Sequence, residues 1–272
     1  MPVDPASCRV LILAAGQGRR LGASAPPKVL LEFHGSSLLT RHIRILDACG
    51  LRDITAVVGY RAEELRAEIV HLCGLRETAC PGPDPGSVRG VNRVGAVRVN
   101  LVENPSFRNG SIVSLWKARA VLRSAAPVIL MDADVLYDSR LIIRLLDSPH
   151  ESCFLLDRSI EPGEEPVKLC VDRGRIVDFH KRPQIEHQWH GESVGFFRFS
   201  PAIATELADR VEEYIADGRT HVEYEEPIRD LLLARDGAGF GYEDISGLPW
   251  IEIDFPADVA RARRVVVPQL LG

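Results

Sequence analysis

No apolar run in this sequence approaches the roughly 18 residues that a membrane-spanning helix needs. The first residues also lack the basic, apolar and small-residue order of a secretory signal, so the expected compartment is the cytoplasm, with no membrane partner. The six cysteines, at positions 8, 49, 73, 80, 153 and 170, form no CxxC pair. That argues against a zinc site or a disulfide framework. Basic residues are not in excess either, since 33 Lys and Arg face 38 Asp and Glu for a net charge of −5. Nucleic acids and anionic membranes bind by counterion release from clustered cations, so neither is an expected partner. Small anionic ligands stay open. What is present is an ordinary globular composition, 46% hydrophobic and 26% charged over 272 residues, read as one domain over 1–272.

Residues 9–15 (RVLILAA) form a continuous apolar run of the kind that a parallel strand buried on both faces requires. Ser36 and Ser37 then offer a helix cap, Leu39, Ile43 and Leu46 recur at helical spacing, and Gly50 supplies a stop. ITAVVGY and VRVNLVE (97–103) read as further strands, 61–72 and 111–123 as helices, and PVILM (127–131) as the next strand. Strand alternating with helix predicts a doubly wound, mostly parallel sheet whose ligands sit beyond the strands' C-terminal ends. After about 150 the pattern changes. CFLLD, VKLCV, RIVDF and SVGFFRF follow one another before helices at 201–216 and 224–235, which predicts a mixed antiparallel extension. WIEID reads as a last strand before a C-terminal helix. The Pro- and Gly-dense stretch between 74 and 96 reads as a loop, of open role around 81–90.

The loop after the first strand is LAAGQGRRLGASAPPK. Its small residues Ala14, Ala15, Gly16 and Gly18 let backbone N–H groups close around an anion. A Walker A loop needs Lys directly after its second glycine, whereas here Lys28 follows Gly22 by six residues. A dinucleotide GxGxxG fails as well, because Leu21 stands in the place of the third glycine. VVGYR lacks the acidic residue that would grip a ribose after the second strand, which argues against a nicotinamide oxidoreductase. A plain turn has no need of two arginines and a Pro-Pro-Lys.

LAAGxGxRxG followed by PK resembles the signature of the nucleotidyltransferase family that couples nucleoside triphosphates to phosphorylated acceptors. Sugar-phosphate nucleotidylyltransferases and phosphocholine cytidylyltransferases are among its members. The resemblance implies that the glycine loop wraps the triphosphate, with Gly16, Gly18 and Arg20 in contact and Ala14 and Ala15 lining the nucleotide. It implies Lys28 as the catalytic cation, with Arg20 beside it. Charge neutralisation of this kind does most of the work in phosphoryl chemistry.

VILMDADVLYD ends a buried strand in two carboxylates, costly unless solvated, paired or bound to a cation. Oxygen donors of this kind suit Mg²⁺, the expected cofactor. The resemblance favours Asp134 over Asp132 as metal ligand, leaving Asp132 as a supporting partner. WIEIDFPADVARA resembles the cytidylyltransferase branch, which implies Asp254 as the second ligand. Glu252 is a weaker candidate, and Asp258 fits the first turn of the next helix.

NPSFRNGSIVSLWKA implies Asn104, Asn109 and Ser114 near the nucleotide or acceptor, although Asn-Gly is a common turn and Ser111 could be only a cap. VKLCVDRGRIVDFHKRP implies a second phosphate-contacting lysine at Lys181, with Lys168 as the lesser candidate. Glu192, Tyr224, Glu225 and Trp250 form the expected acceptor pocket, since carboxylates and aromatic faces attract an ammonium headgroup. The plainer alternative makes Tyr224 and Trp250 core residues.

His187 with His190, and His71 with Cys73, lack the partners for a tetrahedral metal site. The expectation is a Mg²⁺-dependent cytidylyltransferase acting on CTP and a small phosphorylated or phosphonate acceptor, of phosphocholine or 2-aminoethylphosphonate type. Its nucleotide-binding half would be about 1–150 and its acceptor-binding half about 151–272. The alternative is a sugar-1-phosphate nucleotidylyltransferase using UTP, GTP or dTTP. A homodimer is compatible with the sequence, which does not fix the oligomeric state.

Overall fold

The computed structural model describes residues 3–22, 25–73, 91–94, 96–159 and 166–270. The stretch 81–90, read as a loop of open role, lies outside them. The first half alternates β1 (Arg9–Ala14), α1 (Leu38–Ala48), β2 (Asp53–Val58), α2 (Ala62–Cys73), β3 (Val91–Val94), β4 (Val97–Glu103), α3 (Ile112–Lys117), β5 (Val128–Asp132), β6 (Val135–Tyr137) and α4 (Arg140–Asp147). The second half brings β7 (Ser152–Asp157), β8 (Lys168–Asp172), β9 (Arg175–His180) and β10 (Trp189–Phe199). After them come α5 (Pro201–Ala216), α6 (Glu225–Ala234), β11 (Phe240–Asp244), β12 (Trp250–Glu252) and α7 (Pro256–Arg261).

β1 pairs in parallel with β2 on one side and β5 on the other, and β2 continues to β4. The chain therefore winds outward from β1, returns, and adds β5 on the opposite edge, so the strand order reverses at β1 and β5. Beyond the C-terminal ends of such a strand pair lies the crevice where doubly wound sheets hold ligands. β10 extends the sheet antiparallel to β5 and also pairs with β8 and β7, as the short-strand pattern predicts.

Burial on both faces explains the apolar runs. Val10 and Ile12 belong to one core with Ile43, Leu46 and Leu65, while Leu11 belongs to the other with Leu130, Phe197 and Leu207. Arg198, fully buried on β10, donates to the carbonyls of Leu145, Leu146 and Ser148, which lie at the end of α4. A buried guanidinium is tolerated here because helix C-termini leave carbonyls without partners.

Three elements differ from the sequence reading. Val91–Val94, inside the stretch read as a loop, is a strand antiparallel to β4. The helix expected over 111–123 breaks at Ala118 into two short pieces. WIEID is a strand as read, but it stops at Glu252 and pairs with β6.

Candidate active site

The β12–β6 pairing is what gathers the carboxylates. Its register sets Glu252 opposite Val135 and Ile251 opposite Leu136, and the Ile253 amide donates to the Asp134 carbonyl at 2.9 Å. Asp134, Glu252 and Asp254 thereby come together, each with a carboxylate oxygen within 4.8 Å of the others'. Asp258 caps the turn behind them, accepting from the Asp254 and Phe255 amides at 3.0 and 2.7 Å, as a first-turn carboxylate should. His42, on the buried face of α1, has its Nε2 2.9 Å from the Ala133 carbonyl, midway between Asp132 and Asp134. Burial pushes that imidazole down to about 4, so the ring is neutral and Nε2 donates.

Two cations meet the cluster. Lys28 Nζ donates to Asp134 Oδ2 at 2.8 Å and to Asp254 Oδ1 at 2.5 Å, and Arg20 Nη1 donates to Asp254 Oδ2 at 2.9 Å. Burial works against the charged Lys28, yet Asp134 and Asp254 outweigh it and hold the ammonium above its ordinary range. For Asp254 burial is likewise overcome, first by Lys28 and then by Arg20, so its carboxyl lies below the ordinary range. Glu252 goes the other way, pushed up to about 8 by burial and by Asp134 and Asp254. Gly18 has φ +59°, and a Cβ there would lie 2.8 Å from Lys28 Cγ. A glycine at this point lets the loop rest on the lysine stem.

Two cavities meet at this point. The smaller, about 250 Å³, is lined by Ala14, Ala15, Gly16, Lys28, Asn109 and Ser114, and also by Ser111 and Glu223. The larger, about 410 Å³, is lined by Lys181, Glu192, Tyr224, Glu225, Trp250 and Asp254. Asp132 and Tyr224 border both cavities, and the Tyr224 hydroxyl donates to Asp132 Oδ2 at 2.7 Å. Burial, then Asp134 and Glu225, hold the Asp132 carboxyl well above the ordinary carboxylate range.

Several expected residues sit elsewhere or differently. Asn104 is fully buried behind the smaller cavity, donating to Ser114 Oγ and accepting from the Ser106 amide. Gly18 and Arg20 do not line that cavity: Gly18 lies against the stem of Lys28, which does, and Arg20 pairs with Asp254, which lines the larger one. Ser111 does not cap the following helix with its side chain; it donates to Glu223 Oε2 and accepts from the Tyr224 amide at 2.8 Å. Lys168 Nζ reaches the Lys181 carbonyl at 2.9 Å and so supports the loop that carries Lys181. Trp250 Nε1 donates to Asp157 Oδ2 at 2.8 Å.

Asp157 itself faces Glu192 across β7 and β10. Like charges directly opposite on neighbouring strands disfavour one another. Burial and Asp157 push Glu192 up to about 7, and burial does the same to Glu225, whose Oε2 has no hydrogen-bond partner among the described residues. Protons bound this tightly in the folded state add stability that is complete below about 4.5 and lost as pH rises through about 7.

The chain matches the MobA-like NTP transferase domain over residues 10–176, more than half its length. It belongs to that family. It is 28% identical over 261 residues to a bifunctional IPC transferase and DIPP synthase of Rubrobacter xylanophilus, covering 94% of this chain and 51% of that protein. Over 276 residues it is 24% identical to a CMP-5'-(3-aminopropyl)phosphonate synthase of Streptomyces rubellomurinus, with 95% and 39% covered. The chain thus spans about half the length, or less, of these curated relatives. Among solved structures, the inositol-1-phosphate CTP transferase from T. maritima shares the fold, with a TM-score of 0.70 over 97% of this chain and 98% of that one at 18% identity.

Within this nucleotidyltransferase family the resemblance seen in the glycine loop is secure, and the residues it did not single out become visible. Gly195 is one. It has φ +75° where the register of β10 against β7 shifts, and a Cβ there would meet Asp132 Oδ2 at 2.1 Å. The positive φ and the close approach both demand glycine. Gly195→Ala should therefore displace the Asp132–Tyr224 pair and lower the melting temperature by several degrees, on the scale of 1–3 kcal/mol for strained backbone; a melting curve unchanged from wild type contradicts that reading. In the sequence, SVGFFRF gave no sign of the bulge. His42 could have been found as the one histidine on α1, lying among Leu38, Leu39, Ile43 and Leu46.

Proposed function

We propose that the protein is a Mg²⁺-dependent cytidylyltransferase that moves CMP from CTP to a small phosphorylated or phosphonate acceptor bearing a cationic group. The observation that carries this reading is the junction: Lys28, Arg20, Asp134, Glu252 and Asp254 converge where a cavity against the glycine loop meets an acid-lined cleft. The smaller cavity would take the nucleotide and the larger the acceptor.

Three carboxylates are hard oxygen donors that fit Mg²⁺, and a cationic nitrogen already lies between two of them. Asp134, Glu252 and Asp254 would hold the ion, which supplies Lewis-acid stabilisation of charge on the α-phosphate. Lys28 and Arg20 offset the charge of the triphosphate, and Lys181, which lines the larger cavity, orients the acceptor's phosphate. An acceptor oxygen forms the new bond to the α-phosphorus while the bond to the bridging oxygen breaks, and pyrophosphate departs with that electron pair. The acceptor is anionic at neutral pH, so no general base is required; the barrier is repulsion between two anions, lowered by positioning and neutralisation.

In the larger cavity, Glu192, Glu225 and Asp157 with the Trp250 indole suit an ammonium group. A panel of CTP, UTP, GTP and dTTP against phosphocholine, 2-aminoethylphosphonate, an inositol phosphate and a hexose 1-phosphate, read by pyrophosphate release, tests base and acceptor together. CTP with a cationic acceptor is expected to turn over fastest, and activity confined to a hexose phosphate overturns the proposal.

Binding a cation ionises Glu192 and Glu225, so affinity for the acceptor should rise as pH climbs from about 6 to about 8. A phosphomonoester ionises in the same range. The decisive comparison is therefore Glu192→Gln, which should flatten the pH dependence of KM for the cationic acceptor and leave that for the inositol phosphate alone.

A further inference from the structure

Lys28 Nζ occupies the place from which a cation would touch two of the three carboxylates. Its distances of 2.8 Å to Asp134 Oδ2 and 2.5 Å to Asp254 Oδ1 put it between two of the three residues that each bring a carboxylate oxygen within 4.8 Å of the others'. A Mg²⁺ ion contacts its oxygens at about 2.0–2.1 Å and accepts little distortion. Ammonium and metal cannot both sit there. Arg20 covers the other oxygen of Asp254 at 2.9 Å, with its guanidinium 5.2 Å from the Phe255 ring centre.

The means of release is also present. The Lys28 stem lies against Gly18, inside the loop expected to wrap the triphosphate. Rotation about the lysine's own torsions would carry Nζ from the carboxylates toward that loop, since the stem already lies against it.

We propose that Lys28 and the divalent cation are alternative occupants of one carboxylate site, so that the cation binds well only with the triphosphate that draws Lys28 away. This rests on the metal reading given above. A triphosphate offers Lys28 a denser negative charge than two carboxylates, one of which, Asp254, is already shared with Arg20. Once Lys28 leaves, Asp134 loses that counter-charge, Asp254 keeps Arg20, Glu252 stands beside them, and the metal accompanying the nucleotide fills the place. Without nucleotide, the lysine guards the site against free metal ions. By linkage, metal and nucleotide must then favour each other's binding by the same factor.

Electron paramagnetic resonance titration of Mn²⁺ tests this on the intact chain. Wild type without nucleotide should bind Mn²⁺ weakly, and a non-hydrolysable CTP analogue should tighten binding beyond what Mn²⁺ and the analogue achieve without protein. Lys28→Met should bind Mn²⁺ without nucleotide about tenfold more tightly than wild type or better, within the usual range of coupling between sites. Mn²⁺ alone should also raise the melting temperature of Lys28→Met more than that of wild type.

Wild type that binds Mn²⁺ equally well with and without the analogue overturns the proposal, as does Lys28→Met binding no tighter than wild type. If Lys28→Met does not fold, Lys28→Gln takes its place, and the two wild-type titrations decide independently of either variant. Absence of Mn²⁺ binding in every arm, the analogue included, overturns the metal reading itself and this proposal with it. Asp134→Asn, which weakens the carboxylate set, should weaken Mn²⁺ binding in all states.

Discussion

Lys28→Ala should lower turnover on the order of 10³-fold, the scale on which a single transition-state cation acts in phosphoryl transfer. The ammonium is the group best placed to answer both anions, since it lies where the loop side of the smaller cavity meets the carboxylates. Arg20 does not replace it, because that side chain meets Asp254 from its other oxygen, whereas Lys28 bridges Asp254 and Asp134. The loss should appear in turnover at saturating CTP and acceptor, with the larger share in kcat, since a group neutralising charge that develops in the transition state acts there most strongly. Lys28→Arg should recover part of the rate, its fork being bulkier than the space against Gly18. Pyrophosphate release near the wild-type rate in Lys28→Ala removes Lys28 from the chemistry. Circular dichroism must be unchanged for the comparison to count.

What was legible in the sequence follows the range of the interactions involved. β1, β2 and β5 announce themselves because burial on both faces makes each a mostly apolar run, while in β4 Val97, Val99 and Leu101 alternate with polar, less buried residues. α5 is equally plain, with Ser200 capping the Ile203 amide and a proline at its first turn. β3 was hidden, since only four residues pair at the outer edge beside β4, after a Pro- and Gly-dense stretch. The strand at Trp250 was visible, but its partner was not, because pairing with β6 is a long-range choice. That choice decides the site. Glu252 looks like a minor neighbour of Asp254 until the register places both beside Asp134. Motifs local to one loop named Lys28, Asp134 and Asp254, and the fold brings them within bonding distance. Gly195, Asp157 and the Ser111–Glu223 contact depend on β10 and on the segment before α6 folding back over β5, and no local pattern encodes that.

Asp134→Asn and Asp254→Asn should each cost roughly 10²–10³-fold in turnover, as loss of a ligand worth several kcal/mol of charge stabilisation implies. Their effects on stability should differ, and that difference separates a catalytic from a structural role. Asp134 shares Lys28 with Asp254 and adds to the repulsion that raises both Asp132 and Glu252. Removing its charge leaves Lys28 paired with Asp254 and relieves two crowded neighbours, so Asp134→Asn should keep the wild-type melting temperature or exceed it. Asp254 holds Lys28 and Arg20 together. Its loss releases Arg20 and weakens the hold on Lys28, so Asp254→Asn should melt lower than Asp134→Asn. Both variants should need more Mg²⁺ to reach half their own maximal rate. The outcome that refutes the arrangement is a variant that melts as wild type, turns over as wild type and shows the same Mg²⁺ requirement, because a carboxylate with no part in holding the ion is the only kind that could be removed without trace.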